Sequence, residues 1–219
     1  MVAACVGRVT WPDSKPLPVN MPTIRITPPA AEPISLTDAR AQCRIAADDT
    51  AEDALLGVYI QAAREAAEQE LCRSLIDTTW EDQHDGWPEG SAGPIELGHA
   101  LAASITSVTY TTPAGASVVL DSSAYVLRLS DQRAWLMPAT GTAWPDVLQG
   151  PAAQPTVRVR YVSGYGSTAA AVPASIRQWL LLTVGTLYAQ RESVDATGRV
   201  AALPARFVDR LLDAERIYG

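Results

Sequence analysis

Thr50-Ala-Glu-Asp-Ala-Leu-Leu-Gly-Val-Tyr-Ile-Gln-Ala-Ala-Arg-Glu-Ala-Ala-Glu-Gln-Glu-Leu71 decides how this chain is read. Leu56, Ile60, Ala63, Ala67 and Leu71 recur at helical spacing, and Leu55 and Tyr59 widen the apolar stripe. Thr50-Ala-Glu-Asp53 has the form of a capping signal, and Asp48, Asp49, Glu52 and Asp53 set negative charge at the positive end of the helix dipole. The alanines permit close approach of another helix. Upstream, Ser35-Leu-Thr-Asp38 is a capping box with Asp in the place of Glu, and predicts a short helix from Leu36 to about Ile45. Helical periodicity is read over Ser35 to Asp82, with Trp80 to Trp87 as the exit.

Past that exit the pattern changes. Gly86, Pro88, Gly90, Gly93 and Pro94 break the chain. Ile105 to Thr112 reads as a strand, Pro113-Ala-Gly115 as a turn and Ser117 to Leu120 as its return, which together make a hairpin. Tyr125, Leu127 and Leu129 alternate with polar residues, and Ala134 to Met137 is a further strand. Gly141 to Pro155 reads as a loop. Val157, Val159 and Tyr161 alternate with Arg158 and Arg160, the signature of a strand with one buried face.

Helical spacing then returns. Pro173 suits a first turn, with Ile176, Leu180, Val184, Leu187 and Arg191 on one side and Trp179, Leu182 and Thr183 broadening it. This is expected to be the most buried helix. Ser193 to Ala202 reads as a polar linker, and Pro204 opens a last helix with Phe207, Leu211, Leu212 and Ile217 inward. The expected fold class is α+β: a helical bundle of N- and C-terminal helices with a β-rich insertion between them. The expected organisation is a proline-rich extended arm over 1–34, a helical part over 35–82, a β-rich insertion over 83–168, and a C-terminal helical part over 169–219 that packs on 35–82. Met21 is an alternative start, since little before it reads as structural.

The formal charge is −7 over 219 residues, and its placement matters more than its size. Ser35 to Asp82 holds 11 acids and 4 bases, whereas the rest of the chain is balanced at 13 of each. There is no basic stripe of the kind that holds nucleic-acid phosphates. An acidic lining that repels DNA fits, as does a basic protein partner; the structural alternative is a solvated helix face. Cys5, Cys43 and Cys72 are odd in number and widely spaced, and are expected as reduced thiols, with Cys43 and Cys72 as small core residues. Met1 to Gly7 lacks the basic and apolar regions of a signal peptide, and Trp179 to Val184 is too short to span a bilayer.

Several stretches imitate chemistry. Gly164-Tyr-Gly166-Ser-Thr-Ala169 matches a dinucleotide-loop variant, but Val172-Pro173 separates it from the helix and no parallel strand follows, so it reads as a turn leaving the sheet. Glu81-Asp82-Gln83-His84-Asp85 offers oxygen ligands to a divalent ion, yet His99 is the only other histidine, and a solvated helix exit is the expected reading. Arg158 and Arg160, with Trp135 and Trp144 upstream, offer a stacking surface for single strands, against which stands the net negative charge. Asp131 and Asp146 read as loop carboxylates, and Phe207 as a core ring. No catalytic, cofactor-binding or metal-binding residue is assigned.

Taken in order, several segments resemble the head–tail connector (adaptor) proteins of tailed bacteriophages in their long form with a β-rich insert. The resemblance rests on Glu32-Pro-Ile-Ser-Leu-Thr-Asp-Ala-Arg40 leading to Arg44-Ile45, on Tyr59-Ile-Gln-Ala-Ala-Arg-Glu65 with Glu68, and on Ile105-Thr-Ser-Val-Thr-Tyr110. It continues through Tyr161-Val-Ser-Gly-Tyr165, Val172-Pro-Ala-Ser-Ile176 and Leu187-Tyr-Ala-Gln-Arg-Glu192, and spans about Glu32 to Ile217. It implies a structural subunit without catalysis or cofactor. Such a subunit sits in the virion, after assembly in the bacterial host cytoplasm, in a ring that is typically twelve-fold. The implied partners are other copies, the portal above and a head-completion or tail protein below, with DNA passing through and no membrane. The alternative from the residues is a nucleic-acid- or nucleotide-binding module using the Arg158/Arg160 strand or the Gly164–Ala169 turn.

Overall fold

Helix α2, Asp53–Leu71, forms where the apolar stripe predicts it, and buries Leu56, Ile60, Ala63, Arg64, Ala67 and Leu71. A computed structural model of the chain describes residues 22–99, 101–130, 133–148, 155–190, 210–213 and 215. Expectations for the first 21 residues, Asp131, the 193–202 linker, Pro204, Phe207 and Ile217 lie outside the described residues.

Helix α1, Leu36–Cys43, starts on the capping box. The Asp38 amide donates to Ser35 Oγ at 3.1 Å and the Ser35 amide donates to Asp38 Oδ2 at 3.2 Å. It stops at Arg44, whose amide donates to the Ala41 carbonyl and whose left-handed φ of 58° turns the Ile45 amide back to the Arg40 carbonyl at 2.9 Å. The second capping signal fails. The N-cap of α2 is Glu52, with no side-chain cap bond, and Asp53 is instead held by the Arg40 guanidinium. An ion pair to α1 wins over a local cap because Arg40 lies next to the first turn. Helix α3, Ala174–Ala189, has Pro173 as N-cap and buries Ile176, Leu180 and Val184. The longer buried stripe therefore belongs to α2, which corrects the expectation for α3.

The chain divides into two units: residues 30–76 with the chain from 165 onward, and residues 22–29 with 77–164. In the first, α1, α2 and α3 share one apolar core of Leu56, Ile60, Leu71, Ile176, Leu180 and Val184, which Leu212 joins at 1 % exposure. A buried arginine pins this core. Arg64, 3 % exposed, donates to Glu32 at 2.9 Å and to Glu68 at 2.8 Å, and Glu68 in turn accepts the Leu75 amide at 2.9 Å.

The second unit holds two antiparallel sheets. Strands β1 (Thr23–Thr27), β2 (Thr78–His84), β3 (Ile95–Glu96), β4 (Ala102–Thr111), β5 (Ser117–Val119), β6 (Tyr125–Leu129), β7 (Ala134–Pro138) and β8 (Val157–Ser163) follow in chain order. The larger sheet runs β1-β2-β8-β4-β5 and the smaller β3-β7-β6. The hairpin of β4 and β5 pairs Thr109 with Val119 and Thr111 with Ser117, as its turn residues predict. Gly115 closes that turn at φ 85°, which glycine adopts without strain. Strand β8 alternates strictly, with Val157, Val159 and Tyr161 buried and Arg158 and Arg160 half-exposed.

Two expectations are corrected here. Helical character does not reach Asp82: it ends at Leu71, and Thr78–His84 is a strand paired on both sides. Residues 23–27 are not a free arm but a sheet edge. The reason is common to both, because β2 lies between β1 and β8 and needs both neighbours to satisfy its backbone. The architecture is α+β, with helices and two antiparallel sheets.

Candidate functional site

The sequence stretch richest in ligand-type residues, Glu81 to Asp85, proves to be structural. Asp82 is 3 % exposed and accepts from Thr23 Oγ1 at 2.7 Å, the Gly98 amide at 2.9 Å and the Tyr161 hydroxyl at 3.2 Å. Burial pushes its carboxyl above the ordinary carboxylate range, against hydrogen bonds that lower it. Burial likewise raises the Tyr161 hydroxyl, with the nearby Asp82 carboxylate adding to the effect. The site is thus not a solvated helix exit, because the acid lies in a strand whose face turns inward.

His99 stacks on Trp80 with centroids 3.8 Å apart, and its amide donates to the Tyr161 hydroxyl at 3.1 Å. Burial lowers both His84 and His99 to about 4, so both are neutral at pH 7. Among the described residues no group of three or more His, Cys, Asp or Glu could hold a metal ion.

Arg158 and Arg160 lie on the open face of the larger sheet, but not as a free cationic pair. Glu81 faces Arg160 across β2 and β8, and its carboxylate accepts both Arg160 Nη2 at 2.7 Å and Nε at 3.2 Å. Trp144 does not offer a stacking ring. It is 4 % exposed, lies against Trp87 at 4.6 Å and donates to the Gly93 carbonyl at 2.8 Å. Trp135 is on β7, in the other sheet. The sequence reading missed that Glu81 would neutralise an arginine 79 positions later; two alternating strands with opposite charges on one face were the available signal.

The Gly164–Ala169 stretch leaves the sheet as a turn and leads into a short 3-10 segment over Ala169–Ala171, and α3 begins only at Ala174. A Cβ at Gly166 would stand 2.8 Å from the Ala171 Cβ, at a φ of 153°. The glycine leaves room for the Ala171 side chain. Its amides are not at a helix N-terminus, where a phosphate would be held.

The acidic excess is divided. Of the eleven acids between Ser35 and Asp82, Asp77, Glu81 and Asp82 belong to the sheet unit. Within the helical unit Asp53 is paired with Arg40, Glu68 with Arg64, and Glu52 accepts from the Tyr188 hydroxyl. Asp38 closes the cap of α1, and Asp48, Asp49, Glu65 and Glu70 are exposed, with Glu65 3.7 Å from Arg64. Val58 stands among the exposed residues of α2 at 61 % exposure. Of the cysteines, Cys43 is a free, half-buried thiol whose acidity burial weakens. Cys72 ends α2 and is disulfide-bonded, which corrects the expectation of reduced thiols throughout. Among the described residues no helix is long and apolar enough to cross a membrane.

Residues 33–112 match the model of the family described as Phage gp6-like head-tail connector protein. The match takes in α1, α2 and the strands from β2 through β4.

No curated protein sequence matches the chain. Among solved structures, a chain in the "Neck of empty GTA particle computed with C6 symmetry" superposes with a TM-score of 0.74 at 23% identity, covering 91% of this chain and 97% of that one. A chain of the "Virion of native gene transfer agent (GTA) particle" gives 0.73 at 24%, and one of the "Neck of native GTA particle computed with C12 symmetry" gives 0.68 at 21%, with the same coverage. At these identities the likeness is one of fold.

Proposed function

We propose that this chain is a head–tail connector subunit of a tailed phage, prophage or phage-like particle. In this reading it forms a ring below the portal, extends the DNA channel and receives a head-completion or tail protein. The match of residues 33–112 to the connector family carries the reading. The fold likeness to particle necks, which extends over 91% of the chain, supports it beyond the matched segment.

In this reading α1, α2 and α3 act as one bundle, the connector body, and the β-rich part is its insertion. The exposed Asp48, Asp49, Glu65 and Glu70 suit a passage in which DNA slides without adhering, because like charges repel. The small exposed residues Ala54, Ala62 and Ala66 of α2, next to Val58, suit packing against a neighbouring copy, so α2 is the element assigned to ring contacts. The segment after α3 is assigned to the portal. Twelve copies would match the portal-templated ring of this class of assembly.

The test is electron microscopy and cross-linking of purified particles that carry a labelled copy of the chain. Density at the junction of head and tail, with cross-links to portal and tail proteins, is the expected result. Particles in which the label is missing, or in which neither neighbour is cross-linked, would end the reading.

A further inference from the structure

The smaller sheet buries one face and presents the other. Its pairing sets Ile95, Leu136 and Leu127 side by side, and these belong to the apolar core of the unit. The residues next to them along each strand share the opposite face. There Val126 lies across from Met137, and Trp135 lies between Arg128 and Glu96. Arg133, two residues before Trp135, is on that face as well. Val126 is 54 % exposed, Trp135 and Met137 are half-buried, and Arg128 is exposed. Arg133 reaches Glu96 at 3.1 Å, whereas among the described residues no carboxylate pairs with Arg128. The face thus runs from an apolar end, Val126 with Met137, through Trp135 beside Arg128, to Arg133. A tryptophan flanked by arginine is the combination that concentrates binding energy in an interface.

The exposed side of α2 repeats that order with the opposite charge. Ala54, Val58 and Ala62 follow at four-residue spacing, and Glu65 stands nearly one turn beyond Ala62. Val58 is 61 % exposed, and the only base of the helix, Arg64, is buried. Glu65 accepts from Gln61 at 3.0 Å and lies 3.7 Å from Arg64, with its carboxylate still in water. The two surfaces also agree in length. Met137 to Trp135, two strand residues, is about 7 Å, and Val58 to Ala62, four helix residues, is about 6 Å. With Val58 on Val126 and Met137, Ala62 falls on Trp135, where its single methyl leaves room for the indole. Glu65 then lies about 5–6 Å further on, within reach of the Arg128 side chain. The reverse orientation would set the Glu65 carboxylate on Val126 and Met137.

Resting on the connector reading, we infer that the outer face of the smaller sheet receives α2 of a neighbouring copy, with Val58 on Met137, Ala62 on Trp135 and Glu65 paired with Arg128. A sheet face against a helix is a heterologous contact, so it propagates from copy to copy around a ring, whereas α2 against α2 would stop at a dimer. A single-stranded nucleic acid stacked on Trp135 is the competing occupant. Glu96, directly across from Trp135, opposes it by repelling phosphates.

The experiment introduces Val58→Cys and Met137→Cys together into the full chain, in assembled particles, with each single variant as a control. Mild oxidation is followed by gel electrophoresis without reductant. A ladder of dimer, trimer and higher multiples is expected from the pair and from neither single variant. Arg128→Glu and Glu65→Arg, introduced singly without the cysteines, should each lower incorporation into particles severalfold, and the two together should restore it. Urea midpoints of the isolated variants should stay near that of the unchanged chain, which separates a lost contact from lost folding. Particles that hold the chain at the neck but give no ladder overturn the contact and leave the connector reading standing, as does normal incorporation of Arg128→Glu. A dimer from Val58→Cys alone overturns it in favour of a two-fold contact of α2, and a new disulfide that leaves the chain a monomer overturns it in favour of a contact within one copy. Salt-dependent binding of a single-stranded oligonucleotide that Trp135→Ala abolishes, with incorporation unchanged, overturns it in favour of nucleic acid. Particles that lack the unchanged chain remove both readings.

Discussion

Asp82 is the residue on which the sheet unit most depends. It receives donors from β1, from the turn at Gly98 and from β8, so truncation strands three donors at once. Asp82→Ala should cost about 2–4 kcal/mol of unfolding free energy. Asp82→Asn should cost less, because the carboxyl is already pushed toward its neutral form. Urea denaturation of both variants measures the difference, and equal losses would contradict this account.

The two histidines make a separate prediction for pH. Both are held at about 4 when folded, against an ordinary value of 6.5. The folded state binds fewer protons than the unfolded chain in that interval, so stability is full above 6.5 and falls as pH drops toward 4. The loss is up to about 3 kcal/mol per histidine. Asp82 runs the other way: its carboxyl is raised in the folded state, so its contribution is full below the ordinary value of 3.8 and is lost as pH rises above it, which offsets part of the histidine slope. His99→Gln should flatten the fall of melting temperature between pH 6.5 and 4.5, and an unchanged slope would refute the assignment.

At the scale of elements, α1 and α2 are held by different means. The capping box on α1 is local, so Ser35→Ala should cost about 1 kcal/mol. The ties of Arg64 join Glu32, α2 and the turn at Leu75, and nothing in the spacing of a 3.6-residue repeat announces a buried arginine. Arg64→Ala should cost about 2–3 kcal/mol, below the range for a fully buried pair because Glu32 keeps contact with water. Leu56→Ala, at 0 % exposure, should cost about 2–5 kcal/mol by opening the shared core. Conversely, Arg44→Gly should gain about 0.5–1 kcal/mol, since a side chain now occupies left-handed backbone. Thermal or urea unfolding of the four variants ranks them, and a ranking with Ser35→Ala as the largest loss would contradict it.

For the whole molecule, a discontinuous chain builds both units. The helical core takes residues from either side of the sheets, and β1 joins strands that begin more than fifty residues later. A connector ring makes a whole-particle prediction. Val58→Asp, at an exposed position, should leave the isolated chain's stability within about 0.5 kcal/mol while lowering its incorporation into particles. Normal incorporation would remove α2 from the ring contact.

The sequence by itself determined α1, α2, α3, the hairpin of β4 and β5, and the alternation of β6, β7 and β8. Each rests on local periodicity, a cap or a turn residue, and these act within a few positions. Only the tertiary structure decided that Thr78–His84 is a strand, that Thr23–Thr27 is its edge, and that Glu81, Asp82 and Arg64 are closed inward. Those outcomes depend on partners distant along the chain, such as Glu32 for Arg64, 32 positions away, and Arg160 for Glu81, 79 positions away. A carboxylate reads as solvated until the strand beside it removes the water.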